Sequence, residues 1–265
     1  NSVITQGVTI KKGSIIGANS VVNKSTEEYS INVGAPSIKI KNRNWFIKMK
    51  LGIIIFSRLS STRLKGKALK KINKCYILEI IYRRLLKATK KIPIIIATTN
   101  NVSDNKIANF CEKRKIKLFR GSNKNVLLRA KECCEKFNLD SFVRICADRP
   151  FLDYNLLKRM IKKFLLGKYD IVTNVFPKTY SYGLTCEIIK VSALNKIDKK
   201  KIKRGDTEHI FNYFYRNNKR FKIKNFYIKN QKNKNLKLSL DTKKDFNLFK
   251  KIYKKNNYKF LLNTN

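Results

Sequence analysis

The feature that most constrains the fold is the alternation of short aliphatic runs with amphipathic segments from Gly52 onward. Runs such as GIIIF and IPIIIATT are typical of buried strands, and KCYILEIIYRRLLKA repeats apolar residues at the helical period. Strands that alternate with helices usually pair in parallel, because crossover helices then cover the faces of the sheet. We therefore predict an α/β fold with a mostly parallel sheet and helices on both faces.

Further strands and helices can be placed along the same region. The runs KIKLFRG, SFVRICAD and YDIVTNV are strand-like, and Asp104 and Asp153 stand at positions typical of helix N-caps. The predicted buried faces of four helices are Ile77, Ile80, Ile81 and Leu85; Ile107, Phe110 and Cys111; Leu127, Ala130, Cys134 and Phe137; and Leu157, Met160, Ile161 and Phe164. Ligands of such sheets bind beyond the carboxyl ends of the strands, so we expect chemistry in the loops after the strands.

A different pattern occupies the first residues of the chain. Aliphatic side chains recur there every six residues, with glycine and serine at fixed offsets: Ile4, Ile10, Ile16 and Val22, with Gly7, Gly13, Ser14 and Ser20. This period predicts a short left-handed parallel β-helix, in which each aliphatic residue points into a triangular core. A pair of ordinary strands is the less favoured alternative. The piece is short, since such solenoids need about three neighbouring repeats for stability.

A boundary is expected at Met49, where a methionine and a lysine precede the first aliphatic strand, as at a natural translation start. We expect a β-helix remnant over 1–43, a junction over 44–50, an α/β domain over 51–257 and a tail over 258–265. Our hypothesis is that two neighbouring genes of one pathway have been joined, by fusion or by read-through.

The charge of the chain needs an explanation of its own. Lys and Arg number 61 against 17 Asp and Glu, which gives a net charge of +44. Such a balance usually indicates a polyanionic partner, because clustered lysines release counterions from nucleic acid. Here lysine accompanies asparagine, isoleucine, tyrosine and phenylalanine throughout, and these residues share AT-rich codons. We therefore attribute the charge to genome composition and disfavour nucleic acid as a partner.

The cysteines and the apolar runs indicate a compartment. The six cysteines form no CxxC pair and fall within apolar patterns, which is typical of free buried thiols in a reducing cytoplasm. No segment has the pattern of a signal peptide, and no apolar run is long enough to span a bilayer. We predict a cytoplasmic protein without a membrane partner.

The loop after the first strand, SRLSSTRLKGK, concentrates hydroxyl and cationic side chains between a strand and a helix. Its candidate phosphate ligands are Arg58, Ser61, Thr62, Arg63 and Lys67, and a later strand end in FRGS adds Arg120 and Ser122. Arginine offers a planar fork to phosphate oxygens, lysine offers a point charge, and N–H groups of a turn that leads into a helix point at an anion. The loop is neither a Walker loop nor a GxGxxG loop, and a solvated basic loop is the alternative.

Two aspartates stand at the ends of later strand-like runs. Asp148 follows FVRICA, and Asp241 follows LKLSL. Mg²⁺ binds through one or two carboxylates together with phosphate oxygens. A helix cap or a salt bridge is the alternative role for each aspartate. If the fold brings the two together, they form a divalent-metal site.

These loops, taken in order, resemble the cytidylyltransferase family, which includes acylneuraminate and keto-deoxyoctulosonate cytidylyltransferases, and in particular the branch of spore coat polysaccharide biosynthesis protein F. The matching residues are Arg58, Ser61, Thr62, Arg63, Leu64, Gly66, Lys67, Arg120, Gly121, Ser122, Arg144, Asp148, Pro150, Gly183, Leu184, Glu187, Glu208, His209, Asp241, Thr242 and Asp245. The chain departs from the family at Phe56, Lys65, Ala147 and Thr185, where glutamine, proline, glycine and aspartate are usual. None of these changes removes a phosphate-binding cation or a proposed metal ligand.

The segment YSINVGAPSIKIKNR resembles the way in which hexapeptide acyltransferases leave their β-helix, with Gly34 and Pro36 in the family's turn. The catalytic histidine of that family lies upstream of this tail, whereas the single histidine of this chain is His209. We interpret the segment as a truncated acyltransferase end without its chemistry.

The cytidylyltransferase resemblance implies a Rossmann-type domain of the nucleotide-diphospho-sugar transferase kind. It implies transfer of CMP from CTP to a sugar hydroxyl, with Asp148 and Asp241 as ligands of Mg²⁺ and Lys67 as a third catalytic residue. The substrate contacts that it implies are Arg144, Glu187 and His209. The implied acceptor is an acidic eight-carbon or nine-carbon keto-sugar, used in the biosynthesis of a surface polysaccharide or glycan.

Two alternative functions stay open at this point. A glycosyltransferase of related architecture also uses strand-end aspartates and Mg²⁺, but it consumes a nucleotide sugar. A basic nucleic-acid-binding protein would show strongly salt-dependent affinity. Relatives in the resembled family are often dimers, so a homodimer is the expected assembly, although the sequence displays no interface.

Overall fold

The structure of the protein is a computed structural model that describes residues 1–42, 49–61, 63–89, 91–228 and 236–255. The chain divides into two compact units, Asn1–Lys48 and Met49–Asn265. The predicted tail over 258–265 and most of the predicted junction over 44–50 lie outside the described residues. The domain boundaries that we placed on the sequence stay predictions.

The first unit is built from short strands joined by tight turns. The strands are β1 (Val3–Ile4), β2 (Ile15–Ile16), β3 (Val21–Val22), β4 (Ser30–Val33) and β5 (Ile38–Asn42). Strand β1 pairs in parallel with β3, and Val3 faces Val21, which lies three six-residue repeats further along the chain. Strand β2 pairs in parallel with β4, and β4 pairs antiparallel with β5.

The six-residue period of the sequence is visible in the backbone of this unit. Gly7, Gly13 and Asn19 have φ angles of 78°, 73° and 56°, so that a left-handed turn recurs every six residues. Burial along the aliphatic row is uneven, because Val22 is fully buried whereas Ile4 is 51% exposed. The period therefore produces parallel strand pairs joined by equivalent turns, and the triangular β-helix core stays a prediction.

The second unit alternates strands with helices. Its strands are β6 (Leu51–Phe56), β7 (Lys71–Ile72), β8 (Cys75–Tyr76), β9 (Ile94–Thr99), β10 (Lys117–Gly121), β11 (Ser141–Cys146), β12 (Ile171–Thr173), β13 (Glu187–Lys190) and β14 (Ile223–Asn225). Its α-helices are α1 (Ile77–Ala88), α2 (Asn105–Lys113), α3 (Val126–Lys136), α4 (Tyr154–Leu165), α5 (Val191–Asn195), α6 (Phe211–Arg216) and α7 (Lys243–Lys255). The strands and helices predicted between β6 and β12 are present at their expected places.

Seven of these strands form one sheet in the order β10–β9–β6–β11–β13–β12–β14. Neighbouring strands are parallel from β10 to β11, and β12 is parallel to β14. Strand β13 is antiparallel to both of its neighbours. The prediction of a mostly parallel α/β sheet is confirmed. Strand β13 is the exception, because hydrophobic periodicity does not encode the direction of a strand.

Helices cover both faces of this sheet. The side chains of β6 alternate, so that Ile53 and Ile55 pack into one apolar core and Ile54 and Phe56 into the other. Helices α1, α2, α4 and α7 contribute to the first core, and α3, α5 and α6 contribute to the second. The apolar faces predicted for α1 to α4 lie in these cores, with Phe137 partly buried.

Three local predictions met different outcomes. Within residues 236–240 the expected strand LKLSL forms only an isolated bridge, between Lys237 and Tyr182. Asp104 is the N-cap residue of α2, as predicted, but its side chain makes no capping hydrogen bond. Asp153 caps α4 as predicted, since it accepts hydrogen bonds from two N–H groups of the first turn.

The cysteines behave as the sequence pattern indicated. All six are free, and four of them are buried. Burial raises the pKa of the Cys111 and Cys133 thiols to about 12, so both are protonated at neutral pH. Among the described helices, none is both long enough and apolar enough to cross a membrane.

Candidate active site

Three charged side chains meet at the carboxyl edge of the sheet, and we call them the acid–lysine cluster: Lys67, Asp148 and Asp241. The ammonium of Lys67 lies 3.0 Å from Oδ2 of Asp148 and 3.5 Å from Oδ1 of Asp241. The three side chains are between 17% and 24% exposed, so they are partly desolvated yet open to a ligand. The structure thus brings together the three residues that were predicted as catalytic.

The cluster is assembled from distant parts of the chain. Asp148 follows β11, the strand next to β6, whereas Lys67 begins a short 3-10 turn after the first loop. The N–H group of Leu240 donates to the carbonyl of Asp148 at 2.8 Å, and Nζ of Lys67 donates to the carbonyl of Leu240 at 3.2 Å. These two hydrogen bonds fix Asp241 beside Asp148 without a regular strand.

Further cations lie next to Asp241. Arg63 is 3.5 Å and Lys237 is 3.3 Å from its carboxylate. Burial alone would raise the pKa of Asp241, but the charge of Lys67 and hydrogen bonds from neighbouring side chains hold it below its ordinary value. Asp241 is therefore ionised at neutral pH and can act as a ligand of a cation.

Sequence reasoning missed Lys237, which lies between two carboxylates. Its ammonium is 2.8 Å from Asp245 in addition to its contact with Asp241. Asp245 also accepts hydrogen bonds from the N–H groups of Asp241 and Thr242, so it fixes the backbone that carries Asp241. A lysine four residues before an aspartate, outside any helical pattern, gave no signal for this contact.

The donor set of the acid–lysine cluster fits a divalent cation. Asp148 and Asp241 both offer oxygens to one position, and the ammonium of Lys67 lies there. Mg²⁺ is bound through one or two carboxylates and completes its shell with water or phosphate oxygens. In the part of the chain that the structure describes, no group of three or more His, Cys, Asp or Glu side chains could hold a metal ion. The two aspartates therefore suit a metal that arrives with a phosphate ligand.

The first loop presents its arginines to solvent. Arg58 pairs with Glu208 at 2.8 Å, and their side chains are 42% and 50% exposed. Arg63 is exposed and Ser61 is half-buried, whereas Thr62 lies outside the described residues. Of the predicted phosphate ligands in this loop, Lys67 and Arg63 contact the carboxylates of the cluster, while Arg58 is held by Glu208.

Asp104 anchors the first loop, a role that the sequence did not indicate. Its carboxylate accepts a hydrogen bond from the N–H group of Leu59 at 2.8 Å and others from Thr98 and Thr99 at the end of β9. These hydrogen bonds tie the start of the first loop to the end of β9. Asp104 therefore occupies the N-cap position without capping α2, because its buried carboxylate bonds to the neighbouring strand and loop.

Arg120 and Ser122 are used by the fold itself. The guanidinium of Arg120 donates to two backbone carbonyls of the β9–α2 connection and to the side chain of Asn105. Oγ of Ser122 accepts from the N–H group of Asn125, just before α3. Among the described residues, neither side chain forms a hydrogen bond or ion pair with the acid–lysine cluster, and their contact with phosphate stays a prediction.

Arg144 and Glu187 face each other within the sheet, and with Tyr215 and Thr173 they form what we call the buried network. The register of β11 and β13 pairs the two charged residues, and Nη1 of Arg144 lies 2.7 Å from Oε2 of Glu187. Tyr215 donates its hydroxyl hydrogen to Oε1 of Glu187 at 2.8 Å, and its oxygen lies 2.8 Å from the hydroxyl of Thr173. Burial, followed by the charge of Glu187, raises the pKa of Tyr215 above its usual range.

The predicted substrate contacts thus fall in two different environments. Arg144 and Glu187 use their charges on each other inside the buried network. His209 is exposed, adjoins Glu208 and donates its backbone N–H to the carbonyl of Gly205. A contact of these residues with a sugar stays a prediction.

Comparisons with known proteins agree on one family. The family model described as cytidylyltransferase matches residues 52–264. An uncharacterised protein of Methanocaldococcus jannaschii is 35% identical over 209 residues, which cover 78% of this chain and 84% of that protein. The spore coat polysaccharide biosynthesis protein SpsF of Bacillus subtilis is 26% identical over 76% of this chain and 85% of its own length. The 3-deoxy-manno-octulosonate cytidylyltransferase of Fusobacterium nucleatum is 32% identical over 45% of this chain and 48% of that protein.

A solved structure shows the same fold. The cytidylyltransferase from Leptospira borgpetersenii serovar Hardjo-bovis has a TM-score of 0.72 and 28% identity, and the match covers 82% of this chain and 98% of that one. The likeness of the first unit to hexapeptide acyltransferases stays a prediction. The acid–lysine cluster lies within the matched residues, and the chain belongs to the cytidylyltransferase family.

Proposed function

We propose that the protein transfers CMP from CTP to a hydroxyl group of a sugar and releases pyrophosphate. The observation that carries the proposal is the acid–lysine cluster, in which two carboxylates share one ammonium at the carboxyl edge of the sheet. Membership of the cytidylyltransferase family supports CTP as the donor. In this reaction the sugar oxygen forms a bond to the α-phosphorus while the bond to the leaving pyrophosphate breaks.

Arg58 and Arg63 are the principal candidates to bind the triphosphate. Both belong to the first loop and carry exposed guanidinium groups. Such groups bind phosphate oxygens in pairs, and Arg58 exchanges the carboxylate of Glu208 for a phosphate when the nucleotide arrives. The remaining candidates of the two phosphate-binding loops are Ser61, Thr62, Arg120 and Ser122.

The acid–lysine cluster acts at the reacting phosphate. Asp148 and Asp241 would hold Mg²⁺, which would neutralise the phosphate charge when bound. Lys67 donates hydrogen bonds to phosphate oxygens on which negative charge develops as pyrophosphate leaves. The protein contributes position and electrostatics to an in-line displacement, and no covalent enzyme intermediate is required.

We propose an acidic keto-sugar as the acceptor, for a surface polysaccharide or glycan. Two relatives support this choice, since one is a 3-deoxy-manno-octulosonate cytidylyltransferase and the other a spore coat polysaccharide biosynthesis protein. Lys237 and Arg149 carry positive charge next to the cluster aspartates, which suits a carboxylate. The candidates to orient the acceptor are Arg144, Glu187 and His209.

Pyrophosphate release, measured with each nucleoside triphosphate and a panel of keto-sugar acids, tests the proposal. We expect release with CTP and an acidic keto-sugar, and its loss in Asp148→Ala and Asp241→Ala together with loss of Mg²⁺ binding in calorimetry. Glu112→Gln, a change on the exposed face of α2, serves as the matched control and leaves both unchanged. No release with any pair, combined with normal Mg²⁺ binding in both aspartate variants, overturns the proposal.

The same assay separates the alternative functions. Consumption of a nucleotide sugar, with no pyrophosphate from any triphosphate, identifies a glycosyltransferase. Salt-dependent nucleic-acid binding that survives loss of both aspartates identifies a nucleic-acid-binding protein.

The first unit is proposed to be the end of a hexapeptide-repeat β-helix of the acyltransferase kind. The left-handed turns that recur every six residues and the parallel pairing of β1 with β3 support this assignment. Mass spectrometry of the native product tests whether it is joined to the second unit in the cell. If the only product detected begins at Met49, the two units are not joined in the cell.

A further inference from the structure

A buried arginine that has no role in the proposed reaction lies close to Phe56, the residue that precedes the first loop. Arg129 belongs to α3 and is 2% exposed. Its side chain runs past the end of β10, because a Cβ atom added at Gly121 would lie 3.1 Å from Cγ of Arg129. The guanidinium lies 5.7 Å from the ring centre of Phe56, the last residue of β6. Arg129 therefore lies between the two strand ends that carry the phosphate-binding loops.

The charge of this buried guanidinium is poorly compensated. Nη1 donates to the carbonyl of Ser122 at 3.1 Å, but Nε is buried and has no hydrogen-bond partner. No carboxylate of the described residues forms an ion pair with Arg129; the carboxylate of Asp104 is used by the first loop and β9. A buried charge normally has a partner, since an unpaired one destabilises the folded state. The fold tolerates this charge without neutralising it.

The neighbourhood of Arg129 adds a second positive charge. Burial, and next the charge of Arg58, lowers the pKa of Arg129 to about 10, whereas Asp104 acts in the opposite direction. Arg129 is still protonated at neutral pH, so two cations repel each other at the first loop. Arg58 forms an ion pair with the exposed Glu208, whereas Arg129 forms no direct ion pair within the described residues and is opposed only by the charge of the nearby Asp104.

We infer that Arg129 is a positioning residue for the triphosphate: its buried charge next to Phe56, which forms no ion pair within the described residues, strengthens phosphate binding at Arg58 and destabilises the nucleotide-free protein. This inference rests on the proposed function for the identity of the anion. An anion at Arg58 reduces the repulsion between the two cations, and the interaction is strong because Arg129 is shielded from solvent. A purely structural arginine, which only ties the Ser122 carbonyl to α3, would have the opposite effect on stability when removed.

The test compares wild type with Arg129→Met, Arg129→Lys and Arg144→Met. Thermal unfolding without nucleotide is the first measurement, and calorimetric binding of CTP and of inorganic tripolyphosphate is the second. Arg129→Met is expected to raise the midpoint of thermal unfolding by about 3 °C. It is also expected to lower the affinity for CTP and for tripolyphosphate about tenfold. Arg129→Lys keeps the charge and stays close to wild type in both. Arg144→Met, which leaves Glu187 buried and unpaired, is the matched control and lowers the midpoint.

A kinetic measurement adds a second readout. Arg129→Met is expected to raise the KM for CTP with kcat within about twofold of wild type, because the interaction acts on binding. A lower midpoint in Arg129→Met, or unchanged binding of both anions, overturns the inference and leaves the proposed function intact. If Arg129→Met binds CTP more weakly but tripolyphosphate as well as wild type does, then Arg129 does not act on the phosphate groups. If wild type binds neither CTP nor tripolyphosphate, the proposed function itself is overturned. The comparison of thermal unfolding midpoints does not depend on the proposed function.

Discussion

The acid–lysine cluster and the buried network contain the same kinds of group, but their charges differ in what they can do. In the cluster, Lys67 lies 3.0 and 3.5 Å from two carboxylates at the edge of the sheet. In the network, Arg144 and Glu187 meet at 2.7 Å, and the Glu187 side chain is only 5% exposed, whereas each cluster side chain is 17% to 24% exposed. An ion pair that solvent reaches can exchange its partner for a ligand, whereas a sealed pair that loses its partner leaves a buried charge. The cluster at the strand ends therefore suits exchange of a partner for a ligand, whereas breaking the buried pair is expected to destabilise the fold.

The largest effect is expected at the cluster. Asp148→Asn and Asp241→Asn should each lower the rate of pyrophosphate release about a thousandfold, because each removes charge that acts at the reacting phosphate. The free energy of unfolding should change by no more than about 1 kcal/mol, since the side chains are only partly buried and Lys67 keeps the other carboxylate as its partner. Steady-state kinetics and urea unfolding provide the two numbers. Activity within tenfold of wild type in either variant would remove the distinction between the two regions.

The buried network should give the reverse result. Arg144→Met leaves the carboxylate of Glu187 buried without its cation and should lower the free energy of unfolding by about 3–5 kcal/mol. Urea unfolding followed by circular dichroism measures the loss. The double variant Arg144→Met/Glu187→Leu removes both charges and should recover most of it. A single variant as stable as wild type would show that the network is not sealed.

A smaller effect concerns the support of Asp241. Burial alone would raise the pKa of Asp245, but Lys237 and the N–H groups of Asp241 and Thr242 lower it from 3.8 to about 2. A carboxyl whose pKa is lower in the folded protein stabilises the fold above its unfolded pKa, and this contribution is lost as the pH falls towards 2. At neutral pH the free energy of unfolding of wild type should be about 1 kcal/mol larger than that of Asp245→Asn, which is the usual contribution of a helix-capping side chain.

The check is the pH dependence of that difference. The free energies of unfolding of both proteins should be measured at pH 6, 4 and 3. The difference between them should have its full value at pH 6 and should narrow as the pH falls below the unfolded pKa of 3.8. A gap that widens on acidification would contradict the assigned ionisation of Asp245.

The smallest effect is expected at the exposed pair of the first loop. Glu208→Gln releases Arg58 and should change the free energy of unfolding by less than about 0.5 kcal/mol. The affinity for CTP should rise about twofold, because Arg58 no longer has to break its ion pair with Glu208 before it binds the phosphate. Calorimetric titration measures the affinity, and high salt should abolish the difference. A loss of affinity would mean that Glu208 contacts the substrate.

The parts of the fold that follow from local patterns were predicted well from the sequence. The face that carries Ile77, Ile80 and Ile81 is buried as expected, because helical periodicity is a property of neighbouring residues. The proximity of Asp148 and Asp241 also followed, since the loops beyond carboxyl strand ends meet at one edge of a parallel sheet. Here the prediction succeeded although the strand expected before Asp241 is absent from residues 236–240.

The parts that depend on distant side chains were not predictable in this way. Asp104 has the sequence position of a helix cap, but its carboxylate is taken by Leu59, which lies in the loop after another strand. Arg144 and Glu187 become partners only through the register of an antiparallel strand whose direction no local pattern records. Lys237 reaches two aspartates through a segment without regular structure. Each case requires the fold before the contact can be known.

The hydrogen bond from Leu240 to Asp148 has a consequence for synthesis of the chain. Every strand of the parallel half of the sheet and Lys67 leave the ribosome well before Asp241 does. Helix α7 follows Asp241 and supplies the buried Phe249 and Tyr253 to the first core, so this core and the acid–lysine cluster are both completed only after the C-terminal helix has been synthesised.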